Sequence, residues 1–293
     1  MSHAIPLPPF YVPGPLGVSA PQDSAPRRQT PAYYLDEMAA SCTAKDFIRL
    51  KTTFDKWTHE QLDIHTLHTV MHQAVAEDFA EVVALFLSHG QPVYSTYVLS
   101  SVENRAKGSI REFIKGGWNI NEPTGQQQTT ILGFALKDED FTLWLLDQGA
   151  DPNQQCLIDL TPMSFAVKNA SLSTLRLLFD RGADVQKGQL LHHAVSRPLD
   201  DIITVLGILL DKGAPINAKK YENHPVSWGL YFFMGLGTAL HQAAEEGKAD
   251  VVKYLIQRGA DMTIRDARNR TALDCALAFN HEDVVAVLEP AIE

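Results

Sequence analysis

Hydrophobic and polar positions along this chain fall into short, paired helical patterns punctuated by glycine. From Tyr34 onward, Leu35, Met38, Ala39, Phe47, Ile48, Leu50, Phe54 and Trp57 recur at intervals that form an apolar stripe on a helix. Later pairs open on a short Thr-x-Leu signal and close on Gly. Thr69-Val70-Met71-His72-Gln73-Ala74 matches Thr238-Ala239-Leu240-His241-Gln242-Ala243 position for position. Gly90 follows His72 by eighteen residues, as Gly259 follows His241. Each pattern is too short to bury its apolar face alone, so units of this kind stack on one another.

The same unit returns along the chain. One opens at Thr130-Ile131-Leu132 and closes at Gly149-Ala150-Asp151; the next opens at Thr161-Pro162-Met163 and closes at Gly182-Ala183-Asp184. Leu190-Leu191-His192-His193-Ala194 begins a further unit that ends at Gly213-Ala214 and is stretched around Pro198. Residues 94–121 hold a weaker unit without the Leu-His signal, and the last unit runs from Thr271 to Leu288. Thr suits a helix start, and Gly suits the left-handed stop after the second helix. These signatures resemble the ankyrin repeat over roughly residues 66–290. The resemblance implies an all-α solenoid of stacked helix–turn–helix units with projecting β-turn fingers. It also implies that His72, His192 and His241 tie adjacent units by hydrogen bonds.

On this reading the chain divides into a Pro-rich N-terminal arm at 1–32, degenerate capping helices at 33–65, and a repeat array at 66–293. The arm holds eight of the sixteen prolines, which excludes a helix or central strand there. A mobile tail, an arm docked on the repeats and a ligand for a proline-recognising domain all remain open for it.

Composition narrows the function. A formal net charge of −10 argues against general affinity for nucleic acid or an anionic membrane. Three scattered cysteines, Cys42, Cys156 and Cys275, make neither a disulfide framework nor a zinc spacing and suit the cytosol or nucleus. No phosphate loop, nucleophile elbow or dinucleotide fingerprint is present. No cofactor, metal or catalytic residue is therefore expected.

The departures from the repeat are more informative than the repeat itself. Gly213 and Gly259 stand forty-six apart, thirteen beyond the usual period, and the excess falls at about 219–236. This loop carries His224, Trp228, Tyr231, Phe232, Phe233 and Met234. Aromatic and Met side chains are enriched where partners bind. A protein-binding surface, a flap folded on its own repeats and a lid over a small-molecule cavity all stay open. With Trp118, Tyr94 and Tyr97, the loop is expected to line one groove, and His193 and His224 are the polar candidates beside it. His192-His193 diverge on a helix, and neither His193 nor His224 has metal-ligand spacing. Asp200-Asp201 read as helix-start charges and Lys137-Asp138-Glu139-Asp140 as a solvated loop. The leading expectation is a non-enzymatic scaffold for a protein partner. The alternative is an enzyme or small-molecule-binding protein with an aromatic groove roofed by 224–236.

Overall fold

The structure is a computed structural model and describes residues 32–289. The proline-rich arm and the expectations attached to it lie outside these residues. Among the described residues seventeen α-helices and two 3-10 turns follow one another, and no strand occurs beyond one isolated bridge, Gly125 to Gln128. The capping pair is α1 (Ala32–Thr43) and α2 (Phe47–His59). Then come α3 (His68–Ala76) with α4 (Ala80–Ser88), and α5 (Ser95–Glu103) with α6 (Lys107–Lys115). Next are α7 (Leu132–Ala135) with α8 (Glu139–Asp147), α9 (Pro162–Asn169) with α10 (Leu172–Asp180), and α11 (Leu190–Val195) with α12 (Ile202–Asp211). The array ends with α14 (Ala239–Glu245), α15 (Ala249–Gln257), α16 (Ala272–Ala278) and α17 (Glu282–Leu288). The short helix α13 (Pro225–Tyr231) stands apart from the pairs.

The first helices of the pairs form one row. α1 packs on α3, α3 on α5, α5 on α7, α7 on α9, α9 on α11, α11 on α14 and α14 on α16. Ala74, Ala135, Ala166, Ala194, Ala243 and Ala276 lie buried in this row, and small side chains there let neighbouring helices approach closely. The second helices supply Leu145, Leu175, Leu178, Leu206, Leu209 and Leu255 to the layer between the rows. Six of the eight pairs stop at a glycine with positive φ, at Gly90, Gly117, Gly149, Gly182, Gly213 and Gly259, whereas the first pair stops at Gln61.

An amide ladder joins successive fingers. Asn121 accepts from the Asp151 amide (2.7 Å) and donates to the Gly149 carbonyl (3.0 Å). Asn153 does the same with Asp184 (2.7 Å) and Gly182 (2.8 Å). Gln186 donates to Gly213, and Asn217 accepts from Asp261. Each side chain lies four residues past its closing glycine, a regularity the sequence reading passed over.

Some capping expectations change. Thr161 and Thr271 form capping boxes at α9 and α16. Thr69 instead lies within α3, and the Thr130 hydroxyl is buried without a hydrogen-bond partner. Asp201 is not simply a helix-start charge: it receives Arg197, whose side chain is fully enclosed (2.6 and 2.9 Å). The same guanidinium donates to the carbonyls of Val167 (2.8 Å) and Ala170 (2.7 Å), closing the end of α9. Asp138 caps α8 (3.0 Å to the Phe141 amide) and pairs with Arg105 rather than standing free in solvent. Arg197→Met leaves two buried carbonyls and one carboxylate without their donor. It should cost about 3 kcal/mol, near the low end for a broken buried pair because Asp201 reaches water. Urea unfolding checks this, and a loss below about 1 kcal/mol would show that the carbonyls find other donors.

Candidate functional site

Ordinary fingers of this array close with a backbone bond a few residues after they open: Thr124 to Thr129, Cys156 to Leu160, and Asp266 to Arg270. In the enlarged unit the bond runs from the Lys220 amide to the Gly237 carbonyl at 2.9 Å. The insertion is therefore the segment 221–236, pinched at its neck. The inner row passes beneath it unbroken, since α11 still packs on α14.

The segment expected as a finger loop is helical. α13 leads into a 3-10 turn at Phe232–Met234, and Gly235 follows with φ +85°. His224 accepts from the Ser227 amide (3.2 Å), and Pro225 occupies the first helical position. His224 is thus a helix cap. Three contacts hold the insertion to its neighbours. The buried Ser227 hydroxyl accepts from the Asp159 amide (2.9 Å), and the Tyr231 hydroxyl donates to Gln127 (3.2 Å). On the other side Arg268 donates to the Phe233 carbonyl (3.0 Å). The insertion spans fingers on both flanks.

Its outer surface is apolar. Phe232 is 52% exposed, Phe233 58% and Met234 59%, with Val226 and Leu230 also open to solvent. Trp228 and Tyr231 are half-buried, and Tyr231 packs beside Tyr221 with ring centroids 5.6 Å apart. Neither a fully self-packed flap nor an open loop describes this geometry; it is an anchored ridge.

Below the ridge lies a cleft of about 330 Å³ lined by His192, Lys220, Tyr221, Tyr231, Met234, Leu236, Gln242, Glu245 and Glu246, among others. Of the residues expected there, Tyr231 and Met234 line it, whereas His193 and His224 do not. Trp118 packs edge-on against Phe113 and borders a separate small pocket with Val93, Val98 and Pro123. Tyr97 is buried and bonded to His68 (2.7 Å) and Gln91 (3.0 Å). Tyr94 stacks edge-on with Tyr97. None of the three lines the cleft beneath the insertion: Tyr97 is buried, and Trp118 borders a pocket that shares no residue with it. Lys220, Tyr221, Gln242, Glu245 and Glu246 were missed. The finger-closing register, had it been read along the sequence, would have placed Lys220 at the insertion's neck.

The repeat histidines behave in two ways. His192 bonds the Gly237 carbonyl through Nε2 (3.0 Å), and His241 bonds the Arg270 carbonyl (3.0 Å) while its Nδ1 accepts from the Thr238 amide (3.2 Å). These two tie adjacent units, as expected. His72 does not: it packs edge-on against His68 and Tyr97. In the α9 unit Ser164 takes the same role, donating to the Gly188 carbonyl (2.6 Å). The carboxylates of Glu245 and Asp266 with the buried Cys275 thiol form a compact donor set. Arg270 already bridges Glu245 (2.8 Å) and Asp266 (2.7 Å), which accounts for the cluster without an ion.

Burial keeps His192 and His193 neutral, with protonation pushed down to about 3, and burial lowers His241 as well. The unfolded chain takes up these protons near pH 6.5, so it binds more protons than the folded state below that pH. Stability therefore falls as pH drops from about 6.5, by up to about 1.4 kcal/mol per unit for each ring. His193→Leu, which removes a ring whose Nε2 has no partner, should flatten the decline between pH 7 and 5. Thermal melts across that range measure it; an unchanged slope would mean that His193 is protonated in the folded protein.

Comparison with known proteins agrees with this architecture. The family described as "Ankyrin repeats (many copies)" matches residues 240–289. An ankyrin repeat and KH domain-containing protein of Caenorhabditis briggsae is 27% identical over 185 residues, 61% of this chain and 6% of that protein. The ankyrin repeat and SAM domain-containing protein 6 of Rattus norvegicus is 26% identical over 156 residues, 52% of this chain and 13% of its own length. A probable E3 ubiquitin-protein ligase of Oryza sativa subsp. japonica is 36% identical over 92 residues, 31% of this chain and 16% of that protein. The chain thus spans only a small part of each relative.

Proposed function

We propose that this chain, an ankyrin-repeat protein, is a non-enzymatic scaffold that binds a protein partner through its concave face and the ridge formed by its finger insertion. Ankyrin repeats are in general protein–protein interaction modules. The observation that carries the finer reading is the anchored helix α13 and its 3-10 extension, which keep Phe232, Phe233 and Met234 in water. A self-packed flap would bury these side chains, and a contiguous exposed apolar patch marks a contact site. Because Ser227, Tyr231 and the Phe233 carbonyl are tied to neighbouring fingers, little ordering is left for a partner to offset.

A small-molecule role has one observation in its favour, the cleft of about 330 Å³ under the ridge, near the lower end of ligand-pocket sizes. Neither His193 nor His224 converges on it, so the protein-partner reading leads. No helix among the described residues is long and apolar enough to cross a membrane. Cys42, Cys156 and Cys275 are all free thiols, which suits the cytosol or nucleus.

Phe232→Ser/Phe233→Ser tests the ridge directly. Both side chains lie outside the core, so circular dichroism and the melting temperature should stay unchanged. Affinity purification from the source cells followed by mass spectrometry should lose the specifically captured protein by roughly 30-fold or more, the effect of one lost contact centre of about 2 kcal/mol. Equal capture by the variant would remove the ridge from the contact surface.

A further inference from the structure

The cleft beneath the ridge has an electrostatic feature that repeat stacking does not explain. Lys220 lines it, is part-buried, and has no carboxylate within 4 Å among the described residues. Its ammonium lies 5.5 Å from the centre of the Tyr221 ring, a weak substitute for an ion pair. Burial lowers its proton affinity; the cleft acids Glu246 and Glu245 act against that at longer range, and the charge of Lys168 adds to it. Lys168 projects from the last turn of α9, is exposed, and also lacks a carboxylate partner among the described residues. Both lysines act on the half-buried ring of His193, whose buried Nε2 makes no hydrogen bond. The two acids that line the cleft are already engaged: Glu245 with Arg270 (2.8 Å) and Glu246 with Lys248 (2.8 Å). A part-buried cation whose nearest acids are bound to other cations is better balanced when a further carboxylate arrives from outside.

The neighbouring surface is apolar. Tyr231, Met234 and Leu236 line the cleft itself. Phe165 stands one turn before Lys168 on α9, and the Phe134 ring from α7 lies 6.5 Å from it, centre to centre. Phe134, Phe165, His193 and Gln242 occupy the same register position on successive inner helices, directly after the signature histidine position.

We propose that this cleft receives an aspartate or glutamate side chain of an extended partner segment, paired with Lys220 and Lys168, with an apolar residue of the same segment on Phe165 and Phe134. This rests on the reading of the protein as a partner-binding scaffold and specifies the partner's chemistry. One carboxylate suits the site better than a nucleic-acid backbone. Glu245 and Glu246 flank the same opening, and the net charge of −10 repels a polyanion.

The test uses the full chain and a positional library of fluorescein-labelled dodecapeptides, each pool fixed at one position as Glu, Lys, Leu or Ala. Glu pools should be retained at least tenfold over Lys pools at one or more positions. Lys168→Ala/Lys220→Ala should abolish that preference, and Lys168→Glu/Lys220→Glu should reverse it, with unchanged melting temperatures. No acidic preference, or one that survives the double alanine variant, would overturn the proposal. So would lysine-dependent retention of a labelled single-stranded oligonucleotide at equal or higher affinity. Phe232→Ser/Phe233→Ser, run alongside, separates the two readings: loss of peptide binding without any acidic preference leaves the ridge as the contact and removes the cleft. Lysine-dependent acidic preference that persists in that variant keeps the cleft and removes the ridge.

Discussion

The Gly237 carbonyl is the point on which the functional end of this molecule depends. It accepts two hydrogen bonds, from the ring of His192 in the preceding unit and from the amide of Lys220 at the far side of the insertion. The first ties α11 to the unit opened by α14. The second closes the neck of the extra segment, so that residues 221–236 leave the array and return to it at one place. Close approach is essential here: a Cβ on Gly237 would stand 2.5 Å from atoms of the His241 ring. Enclosure within the stack keeps His192 neutral, and its Nε2–H donates the first of these two bonds.

From that neck the remaining geometry follows. Ser227 and Tyr231 bond to the fingers before the insertion, and the Phe233 carbonyl bonds to Arg268 in the finger after it. An apolar helix of seven residues has no stability of its own, so these tertiary contacts hold it. Held this way, it turns Ser227 inward and leaves its bulky side chains outward. The space beneath becomes the cleft, and Lys220, fixed by its own backbone at the neck, becomes part of the cleft wall. Ridge and cleft are two faces of one anchored segment.

The sequence made the array legible because the residues that repeat are those that stacking demands: small residues on the inner row, leucines between rows, glycine where φ turns positive. It also located the insertion, from the interval between Gly213 and Gly259. What it hid depended on contacts between distant residues. Gly229 and the clustered aromatics gave no helical pattern over 225–231, since the helix is imposed by Asp159 and Arg268. His224 read as a free polar candidate, yet the proline after it made it a cap. Trp118, Tyr94 and Tyr97 were grouped with the insertion by residue type, yet Tyr97 is buried and Trp118 borders a pocket of its own. Arg197 had no local signal, because its partners Val167 and Ala170 belong to another repeat.

The central claim is that the insertion is a preformed, anchored surface and not a loop that orders on binding. Native-state hydrogen exchange of the unbound protein, resolved for amides in 225–235, tests it most directly. The Trp228 amide, bonded to the His224 carbonyl at 2.9 Å, should exchange at least tenfold slower than an unstructured peptide. Exchange of the Trp228 amide at the unstructured rate, while amides of α11 and α14 remain protected, would contradict it.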